Sequence, residues 1–170
     1  VGDAVVGFFG APADQPDHAA RAVHCALALD AFAQSFAETQ RTHGIEFGIT
    51  RIGVNTGMAA VGNFGGEAFF DYTAHGDVVN TAARMESVNK HLGTRLCVAG
   101  STVVRCPDVA FRSVGSLLLK GKSEGVDAFE PLAPEAVGTK AASLYREAYA
   151  LLEVGDPGAE EAFARLLESY

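Results

Sequence analysis

The sequence predicts a domain of mixed strands and helices that ends in a separate helical hairpin. Three observations carry this. Short β-rich runs bounded by Gly, Asn or Asp recur between Val1 and Phe129, and longer runs among them repeat apolar residues at helical intervals. From Pro131 to Gly138 the composition shifts to Pro, Ala and Gly, after which two further helical patterns follow. With 170 residues, 48% hydrophobic and 20% charged, the chain can bury a full core, so one domain over residues 1–131 with an appendage over 132–170 is expected.

Val1 to Phe9 alternates around Gly2-Asp3 like a hairpin turn entering a strand, with Val5, Phe8 and Phe9 available for burial, and Gly10-Ala11-Pro12 ends it. Asp3, taken alone, is a turn former. Asp17 precedes a packing helix in which Ala19, Ala22, Val23, Ala26, Leu29, Phe32, Ala33 and Phe36 recur at helical spacing until His43-Gly44. Phe47 to Thr56 reads as a strand and Met58 to Asn63 as its hairpin partner, with Gly62, Gly65 and Gly66 marking a turn. Arg95 to Ala99 is a short strand, and Ser101 is placed to cap a brief helix through Val104. Phe111 to Leu119 and Val126 to Phe129 read as strands joined by a turn at Lys120-Gly121-Lys122-Ser123. In the hairpin, Ala141, Leu144, Ala148 and Leu151 form one apolar face and Ala159, Ala162, Phe163 and Leu166 another, faintly like a tetratricopeptide unit. One such unit cannot bury its face alone, so it is expected to pack on the first domain, a partner protein or further helices.

The stretch from Phe70 to Glu86 reads as a strand delivered into a helix. Phe69, Phe70 and Tyr72 favour an extended segment, Gly76 permits a sharp turn, and Asp77 is placed to cap a helix running toward His91. Asn80 and Arg84 then lie one turn apart on one face, near a helix start where backbone N–H groups and the dipole favour an anion. An arginine fork there suits phosphate. On spacing alone, the simpler reading is that Asn80 supports the first turn and Arg84 is a solvated helix charge.

Composition narrows the classes. A net charge of −8 without a Lys/Arg cluster argues against nucleic-acid binding. No stretch is apolar enough to span a bilayer and no basic secretory start is present, so the chain reads as soluble, with an upstream membrane or sensor region in a longer parent left open. Cys25, Cys97 and Cys106 are odd in number; Cys25 and Cys97 sit in apolar segments as small hydrophobes, which favours a reducing, cytoplasmic setting. The five histidines show no zinc-ligand spacing.

Asp71-Tyr72-Thr73, Gly76-Asp77, Val79-Asn80 and Ala82-Ala83-Arg84 together resemble the signature of class III adenylate and guanylate cyclase catalytic domains. Val1-Gly2-Asp3-Ala4-Val5, Phe9-Gly10-Ala11-Pro12, Gly53-Val54-Asn55-Thr56-Gly57, Val61-Gly62-Asn63 and Lys120-Gly121-Lys122 recur in the same order, so the resemblance covers roughly the first three quarters of the chain. It implies a ferredoxin-like α+β palm, a mostly antiparallel sheet carrying helices, working as a head-to-tail homodimer with active sites at the subunit interface. It implies ATP as substrate, cyclic AMP and pyrophosphate as products, and two Mg2+ (or Mn2+) ions. Asp3 would bind metal, while Asn80 would orient the ribose, Arg84 would stabilise charge on the α-phosphate, and Lys120, with Lys122 in reserve, would hold the distal phosphates.

Two departures qualify what the family implies. Where many members carry aspartate this chain has Thr73, a variant that resembles a bacterial adenylate cyclase subgroup; its hydroxyl both donates and accepts, so GTP stays open as substrate. The family's first strand, with its other metal aspartate and a lysine, is not in these 170 residues, so a truncated catalytic domain is expected. The rival readings are a catalytically inactive nucleotide-binding or regulatory module, and a scaffold whose C-terminal hairpin recruits a protein.

Overall fold

The computed structural model describes residues 4–66 and 69–168. Its first element is helix α1 (His18–Thr42), followed by strand β1 (Ile52–Val54), the strand pair β2 (Ala60–Gly66) and β3 (Phe69–His75), and helix α2 (Asp77–Leu92). Then come β4 (Leu96–Ala99), α3 (Gly100–Val103), β5 (Phe111–Leu117), β6 (Val126–Pro131), a 3-10 turn at Pro134–Ala136, and helices α4 (Lys140–Glu153) and α5 (Ala159–Glu168). None of the helices among the described residues is long and apolar enough to cross a membrane.

A four-stranded sheet runs in the order β1-β4-β6-β5, and β2 and β3 form a separate antiparallel ribbon. Only β1 and β4 are parallel, registering Ile52 with Leu96 and Val54 with Val98; β4–β6 and β5–β6 are antiparallel. The mostly antiparallel sheet with packed helices is thus the expected α+β palm. All four residues of β4 are buried, because helices cover both its faces: Val23 and Ala26 of α1 pack with Leu96 and Val98, while Met85 of α2 packs with Cys97 and Ala99. Arg95, just before β4, donates to both carboxylate oxygens of Asp30 at 2.8 and 3.2 Å, tying α1 to this strand.

Several local expectations are corrected. Residues 4–9 form no strand, and Val5 is exposed, since an extended segment gains ladder hydrogen bonds only from a neighbouring strand; Phe8 instead meets the Tyr72 ring at 5.8 Å. The run 47–56 pairs only over Ile52–Val54, leaving Phe47 and Ile49 exposed. β2 pairs with β3, not with β1, and Gly62, Gly65 and Gly66 lie within the ribbon, opposite Thr73, Phe70 and Phe69. α1 buries only its first half: Ala19, Val23 and Ala26 are inside, whereas Leu29 and Phe32 face outward and Cys25 is exposed. Cys97 and Cys106 are buried. Ser101 does not cap α3, which starts from Ala99.

The C-terminal hairpin packs on the sheet through α4. Tyr145 Oη donates to the Ser113 carbonyl at 2.7 Å, beside an irregularity in β5 between Ser113 and Gly115. The Arg112 guanidinium lies 4.7 Å from the Tyr145 ring centroid and also pairs with Glu130 of β6. Thr139 caps α4 by accepting from the Ala142 N–H at 3.2 Å.

Candidate active site

Helix α2 is pinned at both ends. At its start, Asn55, just beyond β1, donates from Nδ2 to the Val78 carbonyl at 3.0 Å and accepts from Ser101 Oγ at 2.9 Å. Near its end, the fully buried Asn89 donates to the carbonyls of Ile52 and Met85, each at 3.0 Å, and accepts from Thr94 Oγ1 at 2.6 Å. A buried amide with these bonds holds one orientation, so the helix register against β1 is fixed. Gly93, left-handed at φ 70°, then ends the helix.

That register buries Thr81, Met85 and Asn89, and turns Asn80 outward with Arg84 half-buried beside it. The turn after β5 closes onto this face. Lys122 N donates to the Leu119 carbonyl at 2.9 Å, and Gly121 adopts a left-handed φ of 76°. A Cβ at Gly121 would stand 3.5 Å from Arg84 Nη2, so the turn backbone lies directly against the guanidinium. Arg84 Nη1 is buried and makes no hydrogen bond, leaving a cationic donor aimed at no acceptor.

Asp77 departs from its expected capping role. The N-cap position belongs to Gly76, at φ 150°, and no side chain caps the helix. The Asp77 carboxylate instead pairs with Lys122 Nζ. The Lys122 ammonium, foremost through this hydrogen bond, holds the Asp77 carboxyl below the usual aspartate range. Beside the pair lies a cavity of about 340 Å3 whose lining includes Asn55, Thr56, Thr81 and Ser101. Lys120 is exposed.

The structure therefore brings Arg84 against the Gly121 turn and Lys122 onto Asp77 at the start of α2, while Asn80, one turn before Arg84, and Lys120 are exposed. Thr73 is half-buried on β3, opposite Gly62 and three residues before the Gly76 turn. Asp3 lies outside the described residues. No cluster of three metal-ligating side chains occurs among the described residues. Sequence reasoning misses the site roles of Asn55, Asn89 and Asp77: Asn55 stands in the Gly53–Gly57 motif and Asp77 reads as a helix cap, while the bonds that define them reach Val78, Ile52 and Lys122, 23 to 45 residues away.

Comparison with known proteins gives this geometry a context. Residues 1–129 match the family described as adenylate and guanylate cyclase catalytic domain. The chain is 40% identical over 130 residues to adenylate cyclase 1 of Rhizobium meliloti (strain 1021), covering 76% of this chain and 20% of that protein. It is 27% identical over 138 residues to the adenylate cyclase of Anabaena cylindrica, covering 76% and 26%. The chain thus spans about a fifth to a quarter of the length of these relatives. Among solved structures, the adenylyl cyclase CyaB from P. aeruginosa superposes with a TM-score of 0.66 at 29% identity, covering 76% of this chain and 68% of that one. The guanylate cyclase domain of RhGC from Catenaria anguillulae, in complex with GTP, superposes with a TM-score of 0.59 at 27% identity, covering 74% and 65%. With a family match spanning three quarters of its length and the same palm as these enzymes, the chain belongs to the class III adenylate and guanylate cyclase catalytic domain family.

Proposed function

We propose that this chain is the catalytic part of an adenylate cyclase, in which residues 1–131 convert ATP to cyclic AMP and pyrophosphate as a homodimer, and residues 132–170 form an appended helical hairpin. The observation that carries the reading is Arg84: a buried guanidinium nitrogen without an acceptor, held against a lysine-bearing turn, is suited to a phosphate oxygen. In this reading Asn80 orients the ribose and Arg84 stabilises the charge that develops on the α-phosphate as the 3'-hydroxyl attacks it and pyrophosphate leaves. Lys120 holds the distal phosphates. Divalent ions serve this family in general, and Asp3 is the residue assigned to bind them here. We place the domain in the cytoplasm.

ATP is favoured by the adenylate cyclases among the relatives, and Thr73 is assigned to read the base. A guanylate cyclase stands as the second reading, because a neighbouring structure is in complex with GTP and a threonine hydroxyl can serve either base. Competing ATP and GTP at equal concentration against the full-length protein decides between them. Predominant cyclic AMP is expected; comparable or greater cyclic GMP formation overturns the assignment. Thr73→Ala is expected to erode selectivity by about 0.5–1.5 kcal/mol without abolishing turnover, the range of one neutral hydrogen bond.

A further inference from the structure

Two positive groups and one negative group meet at the start of α2. Arg84 lies against the Gly121 backbone, and Lys122, one residue on, pairs with Asp77 at the first position of the helix. A carboxylate in the first turn is already favoured by the helix dipole and needs no lysine to be stable there. The Lys122 side chain, conversely, is drawn down onto the domain: it is 24% exposed, whereas Asp77 is 68% exposed. The pair is therefore built with its cation against the protein and its anion in reach of solvent. An ion pair whose carboxylate is open to solvent is weak, so an incoming group of higher negative charge can displace it.

We propose that Asp77 is a resident counter-ion that holds Lys122 in place and is exchanged for phosphate when a nucleoside triphosphate binds. The inference rests on the nucleotide reading given above. Asp77 is in this account a positioning residue acting through Lys122. With Asp77 in place, the turn after β5 stays closed on Arg84 in the absence of nucleotide, and the charge that a polyphosphate needs is partly neutralised. Asp77 thus sets affinity for the phosphate chain while leaving contacts with the base and ribose untouched. It also separates the two lysines of the turn, since Lys122 is held by Asp77 while Lys120 stays exposed.

The test is equilibrium binding of ATP, adenosine and inorganic tripolyphosphate to the full chain, as wild type, Asp77→Asn and Asp77→Glu. Asp77→Asn removes the charge at constant size, and is expected to bind ATP and tripolyphosphate about two- to fivefold more tightly, with adenosine affinity unchanged. Asp77→Glu, which restores the carboxylate, is expected to return both affinities toward wild type. In a Lys122→Ala background the gain from Asp77→Asn is expected to shrink, as it must if the two residues act as a pair. A folded Asp77→Asn protein with unchanged or weaker tripolyphosphate binding overturns the proposal while leaving the nucleotide reading standing. A gain of equal size for adenosine overturns it too, because that is the mark of a general change in shape. Wild-type protein that binds neither ATP nor tripolyphosphate overturns the nucleotide reading itself, and this inference with it.

Discussion

Gly53 and Ala82 meet backbone to backbone: a Cβ on Gly53 would stand 2.1 Å from the Ala82 carbonyl oxygen and 2.2 Å from the Glu86 nitrogen. Strand β1 and the middle of α2 are in direct main-chain contact, and this contact sets how far the helix carrying Asn80 and Arg84 stands from the sheet. The glycine is required for space, since the atoms it would strike belong to a rigid helix and cannot rotate away as a side chain would. Gly53→Ala must therefore lift α2 or distort β1. Overpacking of this kind costs about 1–3 kcal/mol, and backbone obstruction places it at the upper end, a fall in Tm of about 6–12 °C by calorimetry. An unchanged Tm would show that α2 does not sit this close.

The three cysteines separate by environment. Burial pushes the Cys97 thiol up to about 11, and burial likewise raises that of Cys106, while Cys25 is exposed on α1. Because the thiolate is the reactive form, a disulfide reagent at pH 8 is expected to label Cys25 rapidly in the native protein and the other two only as it unfolds. The same shift bears on stability. With its folded value raised, the buried Cys97 contributes fully below the ordinary thiol range, and that contribution is lost as the pH rises toward 11. Rapid native-state labelling of two or more thiols would contradict the packing around β4.

The legible parts of the fold were those with local causes. Gly76 before Asp77, and the four-residue spacing of Asn80 and Arg84, identify a turn, a helix and one of its faces without reference to the rest of the chain. What failed depended on partners. Periodicity marks Leu29 and Phe32 as part of the same α1 face as Val23 and Ala26, yet it cannot say that the covering sheet stops short of them. The run 58–63 likewise reads as a strand, which the structure keeps from Ala60 on, but nothing local says that its partner is β3 instead of β1. Asp77 is the instructive case within the site. Its position fits an N-cap, and only the fold, by bringing in Lys122 from 45 residues away, gives its carboxylate a different use.

Asp3 and Arg84, proposed for different roles in one composite site, are expected to come from different subunits. In the proposed homodimer, if arranged head to tail, Asp3 of one subunit would face Arg84 of the other. Full-length Asp3→Ala and Arg84→Ala homodimers should each be nearly inactive, because every site lacks one of the two groups. Mixing changes the count: a heterodimer has one site with both defects and one with neither. With free exchange, about half the dimers are mixed and each retains one intact site, so about a quarter of wild-type activity should return if the sites act independently. Size exclusion establishes beforehand that both variants dimerise and exchange. If they do and the mixture stays as inactive as its components, Asp3 and Arg84 do not serve one shared site, and the roles assigned to them here are wrong.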